Sequence, residues 1–203
     1  MRKPLFIVFE GIDGCGKSTQ LCMLRQKLTA MGRAVFTTAE PTESKTGKML
    51  REALSGRDAR TATEMAALFT LDRIHHNVGE GGIAAALATG QDVISDRYYY
   101  SSLAYQGSLT DYEWVRRMNC DCPDIRKPDL CIFLDMEPKA ALARVGARGE
   151  VTEIYEKEET LTLFRETFHR VFASLDDRVA VIDADGTPDE VAARVFAAVA
   201  PLL

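Results

Sequence analysis

The 203 residues contain no apolar run approaching the roughly 20 that a membrane-spanning helix needs. They also contain no internal repeat and no Pro-, Gly- or Ser-rich tract long enough to act as a linker. We therefore expect a single domain over 1–203, a length at which one core buries most of its apolar surface. A basic excess is missing too, since 25 Lys and Arg stand against 30 Asp and Glu, a formal net charge of −5. That disfavours nucleic acid as a partner, because a surface that neutralises many phosphates carries a basic stripe. Any basic site must be local. Cys15, Cys22, Cys120, Cys122 and Cys131 show no paired C-x-x-C spacing, and His75, His76 and His169 add no matching ligand pattern. A structural zinc site is thereby disfavoured, and free thiols of a reducing compartment are expected. The opening MRKPLFIVFEG has two cations and a short apolar run, but Glu10 interrupts it before the length of a signal-peptide core. A cytoplasmic location is expected, with no membrane partner.

What is present alternates between strand and helix patterns. PLFIVFEG is an unbroken apolar run of strand length ending in a turn, as in a parallel strand covered on both faces. A helix through KSTQLCMLRQKLTAMG follows, with Leu21, Leu24, Leu28 and Met31 at helical spacing and Gly32 as its stop. AVFTTAE reads as the second strand. TGKMLREALSG, TEMAALFTLDRIHHNV and GGIAAALATG are helical in period, and QDVISD, DLCIFLD and VAVID read as three further strands. TPDEVAARVFAAVAPLL closes the chain as an amphipathic helix. The alternation predicts an α/β fold in three layers, α/β/α, with a five-stranded parallel sheet. Right-handed crossovers bring the C-terminal strand ends, Glu10-Gly11, Glu40-Pro41, Asp96-Arg97 and Asp135, to one rim.

On that rim, between the first strand and the first helix, stands GIDGCGKS, Gly11 to Ser18, which fits G-x-x-x-x-G-K-[ST] in its required context. Gly11, Gly14 and Gly16 let backbone N–H groups curl around a phosphate, and the helix N-terminus adds partial positive charge. Lys17 supplies a full charge to the terminal phosphates, and the Ser18 hydroxyl is of the type that ligates Mg²⁺. This makes the fold a P-loop NTPase fold. No N-K-x-D base-reading motif follows, which tells against a GTPase, and the small acidic chain tells against a motor ATPase. A kinase needs a second site facing the first.

Candidates for that second site exist. Asp96 closes the third strand where an acid approaches Mg²⁺ or its waters, and Arg97 follows at once; a structural Asp–Arg ion pair is the plainer alternative. Phe69 and Arg73 of LFTLDR lie four apart on a predicted helix, a pairing that suits a planar base carrying a phosphate, though taken alone such a pair is more often core plus a surface charge. Ser101, Ser102, Tyr105 and Gln106 add groups that could read a base edge. The stretch ARVGARGEVTEIYEK, about 143–157, interrupts two helical patterns and carries Arg144 and Arg148. Such a loop suits a lid that closes over reacting phosphates, or simply a solvated charged loop.

Together FEGIDGCGKSTQ, EPT…GKMLRE, LFTLDR, DRYYYSSLAYQG, PDLCIFLD and RVGARGE…IYE resemble the thymidylate kinase family, in order and over nearly the whole chain. The resemblance implies Mg²⁺-dependent transfer from ATP to dTMP. It assigns the run from Gly11 through Ile12, Asp13, Cys15, Lys17, Ser18 and Thr19 to the donor loop, and Asp13 also to the acceptor sugar and phosphate. It assigns Phe69 to stacking on thymine and Arg73 and Arg97 to the dTMP phosphate. It gives Ser102 and Gln106 to the base, Arg51 to a further contact and Tyr105 to excluding a ribose 2′-OH. A homodimer through the helices around 60–115 is also implied. Two departures stand out. Ala39 precedes Glu40-Pro41 where the bacterial pattern often has arginine, and Gly14 occupies the loop position where one branch of the family carries its catalytic arginine. Arg148 or Arg144 of the lid is then the candidate. Other readings are a nucleotide kinase with different base choice and an inactive ATP-binding regulator.

Overall fold

The computed structural model describes residues 3–146 and 158–203. The expected lid falls largely outside them, and Arg148 with it. Five strands, β1 (Phe6–Glu10), β2 (Val35–Ala39), β3 (Asp92–Asp96), β4 (Leu130–Asp135) and β5 (Val179–Asp183), form one parallel sheet in the order β2-β3-β1-β4-β5. Central β1 is buried at every residue, whereas the edge strands β2 and β5 are half-exposed. This explains why PLFIVFE and DLCIFLD read as continuous apolar runs and AVFTTAE does not.

The helices are α1 (Lys17–Ala30), α2 (Lys45–Leu54), α3 (Ala62–Val78), α4 (Ile83–Ala88), α5 (Tyr99–Tyr105), α6 (Tyr112–Cys120), α7 (Pro138–Gly146), α8 (Glu158–Ser174) and α9 (Pro188–Val199). Helices α1 and α9 pack on one another, and α5 packs on α3, α6 and α8, giving the helical layers that flank the sheet. Both α3 and α9 begin with reciprocal capping boxes, Thr61 with Glu64 and Thr187 with Glu190. A small satellite core of Leu50, Ala53 and Met65, joined by Phe69, ties α2 to α3.

The stretch after β3 departs most from the sequence pattern. Arg97 takes a left-handed φ of 68°, rare outside glycine, and the chain enters α5 directly. Tyr98, Tyr99 and Tyr100 are buried. The Tyr98 hydroxyl donates to Asn77 Oδ1 and to the Arg126 carbonyl, both at 2.9 Å, while those of Tyr99 and Tyr100 converge on Asp177. The run packs the core and is no loose strand end.

Candidate active site

The phosphate loop takes its shape from glycine. Gly11, Gly14 and Gly16 have φ of 147°, 86° and 101°. A Cβ on Gly11 would stand 2.8 Å from the Leu134 carbonyl oxygen of neighbouring β4, so no other residue fits there. The side chains of Ile12 and Cys15 turn into the core, leaving only their backbone to the loop, and burial pushes the Cys15 thiol up. Lys17 Nζ donates to the carbonyls of Gly11 (3.0 Å) and Ile12 (3.1 Å) and lies 3.6 Å from Asp13 Oδ1. Its charge is thus held across the loop. Ser18 and Thr19 are exposed. Arg144 Nη1 lies 3.9 Å from where a Cβ on Gly16 would stand, which brings one of the two lid candidates against the loop.

Ser18 Oγ donates to Asp96 Oδ2 at 3.2 Å. Asp96 Oδ1 is buried and has no hydrogen-bond donor among the described residues. A buried carboxylate oxygen left without a donor beside a hydroxyl fits a hard cation or its waters at the end of β3.

Beside this pair Arg97 Nη2 donates to Asp13 Oδ1, and Nη1 donates to Ser101 Oγ (3.1 Å) and Tyr105 Oη (3.4 Å). Burial alone would raise the Asp13 carboxyl, but the charges of Arg97 and then Lys17 outweigh it and hold the group at about 2. Glu10, wholly buried, goes the other way, for burial pushes it to about 7 against the pull of Arg97. The Tyr105 phenol is pushed up to about 12 by burial, with Arg97 opposing. The phosphate loop, Ala39-Glu40 and Asp96-Arg97 line an open cavity of 220 Å³. Ala39 therefore stands on its wall and contributes no charge there.

The other predicted residues lie outside the lining of that cavity. Arg73 is 1% exposed; it donates to Glu40 Oε2 through Nε (2.8 Å), to Ser102 Oγ (3.1 Å) and to Asn119 Oδ1. His76 Nδ1 is 2.9 Å from the second Glu40 oxygen and its Nε2 is 2.7 Å from Thr38 Oγ1. Arg51 donates to the carbonyls of Pro41 (2.8 Å) and Thr42 (2.7 Å), bracing the loop after β2. Asp72 accepts from Thr42 N, Thr42 Oγ1, Ser44 Oγ and Thr46 Oγ1, donors that lower its pKa although burial opposes them. Phe69 sits in the satellite core, and Gln106 is 3% exposed. Sequence reasoning missed Glu10, Glu40, Asp72 and Asn119 as parts of this network. Only the position of Glu10 and Glu40 at strand ends signals them.

The comparisons with known proteins agree with one another. The thymidylate kinase family model matches residues 9–195. The chain is 43% identical over 196 residues to a thymidylate kinase of Akkermansia muciniphila, covering 96% of this chain and 90% of the relative. It is 40% identical over 208 residues to one of Cereibacter sphaeroides (98% and 95%) and 37% identical over 201 residues to one of a Synechococcus strain (98% and 96%).

Proposed function

The chain belongs to the thymidylate kinase family and is an enzyme of that type, and we propose that it transfers the γ-phosphoryl group of ATP to dTMP with Mg²⁺. One observation carries the reading: the phosphate loop and a second cationic centre, Arg97, face a single 220 Å³ cavity. Donor and acceptor phosphates held there meet in line, and positioning with charge neutralisation does the catalysis. An oxygen of the dTMP phosphate attacks the γ-phosphorus, ADP departs with the bridging oxygen, and dTDP is formed.

Lys17 and the loop amides hold the donor, Lys17 leaving the Gly11 and Ile12 carbonyls for phosphate oxygens. Ser18 and Asp96 would hold Mg²⁺, which would supply positive charge to offset that of the donor phosphates. Arg97 takes the acceptor phosphate and Asp13 fixes its guanidinium. Phe69, Arg73, Ser101, Ser102, Tyr105, Gln106 and Arg51 build the acceptor side, and Arg144 or Arg148 neutralises the transferring group. The protein is cytoplasmic and a homodimer through the helices around 60–115. All five thiols being free and the exposure of Leu71 and Val78 on α3 support this. A coupled ADP-release assay with dTMP, dUMP, dCMP, AMP and GMP tests the activity. dTMP should be turned over far faster than the rest; equal turnover of dCMP or AMP would refute the base choice, and no dTMP-dependent signal would refute the activity.

A further inference from the structure

Glu10 is the last residue of β1, and nothing in the phosphate-loop chemistry requires it. Because β1 and β3 run parallel in register, with Phe9 opposite Asp96 and Arg97 N–H donating to the Phe9 carbonyl at 2.9 Å, Glu10 ends beside the first turn of α5. That helix has no cap of its own, since Tyr98 at its N-cap makes no side-chain capping bond. Glu10 supplies it from 88 and 91 residues away: Oε1 accepts from Tyr98 N–H (2.8 Å) and Ser101 N–H (3.1 Å). The remaining oxygen, Oε2, accepts the Ser101 hydroxyl proton at 2.7 Å.

This last bond decides which way the hydroxyl points. With Glu10 ionised, as it is above about pH 7, and the hydroxyl proton committed to it, Ser101 Oγ can only accept from Arg97, and it does so at 3.1 Å from Nη1. We infer that Glu10 is a positioning residue for the acceptor: through Ser101 it holds the Arg97 guanidinium in place to meet the dTMP phosphate. Asp13 steadies Nη2 of the same guanidinium, so two carboxylates fix its two ends, one directly and one through a hydroxyl. The inference rests on the proposed dTMP kinase activity.

Glu10→Gln tests it with little change of shape. The Gln amide oxygen still accepts from the two α5 N–H groups, so the cap survives. The amide nitrogen, however, donates to Ser101 Oγ and displaces the hydroxyl proton from its acceptor toward Arg97. The expected result is a rise of about tenfold in KM for dTMP, the loss of one hydrogen bond to a charged group. KM for ATP should stay within about twofold, because the donor loop is untouched. Ser101→Ala, which keeps both backbone caps, should show the same dTMP defect, and the double variant should be no worse than either single one. An unchanged KM for dTMP in either variant, an equal rise in KM for ATP, or multiplying effects in the double variant would each overturn the relay. Wild-type enzyme without dTMP-dependent ADP release would overturn the proposed activity and the relay together. Active wild type with an unaffected Gln variant would overturn the relay alone.

Discussion

Glu10 and Asp13 stand three residues apart in the chain and are driven in opposite directions. Both lose water, but Asp13 bonds Arg97 directly and lies near Lys17, whereas Glu10 reaches Arg97 only through Ser101, and for it burial wins. The consequence for stability follows from sign. Asp13, lowered from 3.8 to about 2, contributes stability that is complete above its unfolded value and lost as pH falls through about 2. Glu10, raised from 4.5 to about 7, contributes stability that is complete below 4.5 and lost as pH rises through about 7. The Glu10 part amounts to about 3 kcal/mol at most, at about 1.4 kcal/mol per pKa unit. Urea unfolding at about pH 5 and about pH 8 checks this, for wild type should lose stability relative to Glu10→Gln on going to the higher pH. A difference between the two proteins that does not move with pH would contradict it. At this scale the sequence displays what is local. Gly11, Gly14, Gly16, Lys17 and Ser18 are legible because one short loop contains all of their partners. Glu10, Glu40 and Asn119 are not, because their partners lie 91, 33 and 46 residues away and only folding brings them together.

Among the elements, α5 is the least legible in the sequence, because aromatic-rich YYYSSLAY has the residues of a strand and no glycine marks the left-handed turn at Arg97 that starts the helix. Helix α2 shows the opposite case, a single glycine whose need appears only in three dimensions. A Cβ on Gly47 would stand 1.8 Å from the Thr42 carbonyl oxygen and 2.8 Å from Thr42 N. That carbonyl also accepts from Arg51 Nη2 at 2.7 Å, and the Thr42 amide and hydroxyl are committed to Asp72. The loop after β2 is therefore clamped between the first turn of α2 and α3, with Glu40 on the cavity wall at its start. Gly47→Ala must push the loop backbone away, since the obstacle is main chain and cannot rotate aside. We expect a destabilisation of about 1–3 kcal/mol, with a higher KM for dTMP and little change for ATP. Thermal unfolding and substrate titrations check both. A variant that melts with wild type would show that the loop yields without cost.

At the level of the whole molecule, strand and helix alternation was enough to foresee a parallel sheet with its chemistry on one rim, and PLFIVFEG and DLCIFLD mark the buried strands directly. The strand order β2-β3-β1-β4-β5 was not legible, because period and length say nothing about which strands become neighbours. The same limit applies to quaternary structure. The inner face of α3 is spent on a buried polar network, with Thr70, Asp72, Arg73, His76 and Asn77 buried. Its outer face carries Leu71 and Val78, 52% and 55% exposed, two turns apart on one line, with Ile74 between them and partly buried. A single exposed apolar side chain needs no explanation, but two of them aligned along the helix that carries Arg73 are what a partner helix would cover. A second copy docked there would press on the helix that positions Arg73 and His76 against Glu40, so pairing and acceptor binding should be coupled. We expect the wild-type protein to sediment as two chains, and Leu71→Asp with Val78→Asp to sediment as one and to bind dTMP more weakly than ATP in comparison with wild type. Wild type that sediments as a single chain at every concentration would rule out the dimer. A monomeric variant with unaltered dTMP affinity would leave the dimer standing and reject its coupling to the acceptor side.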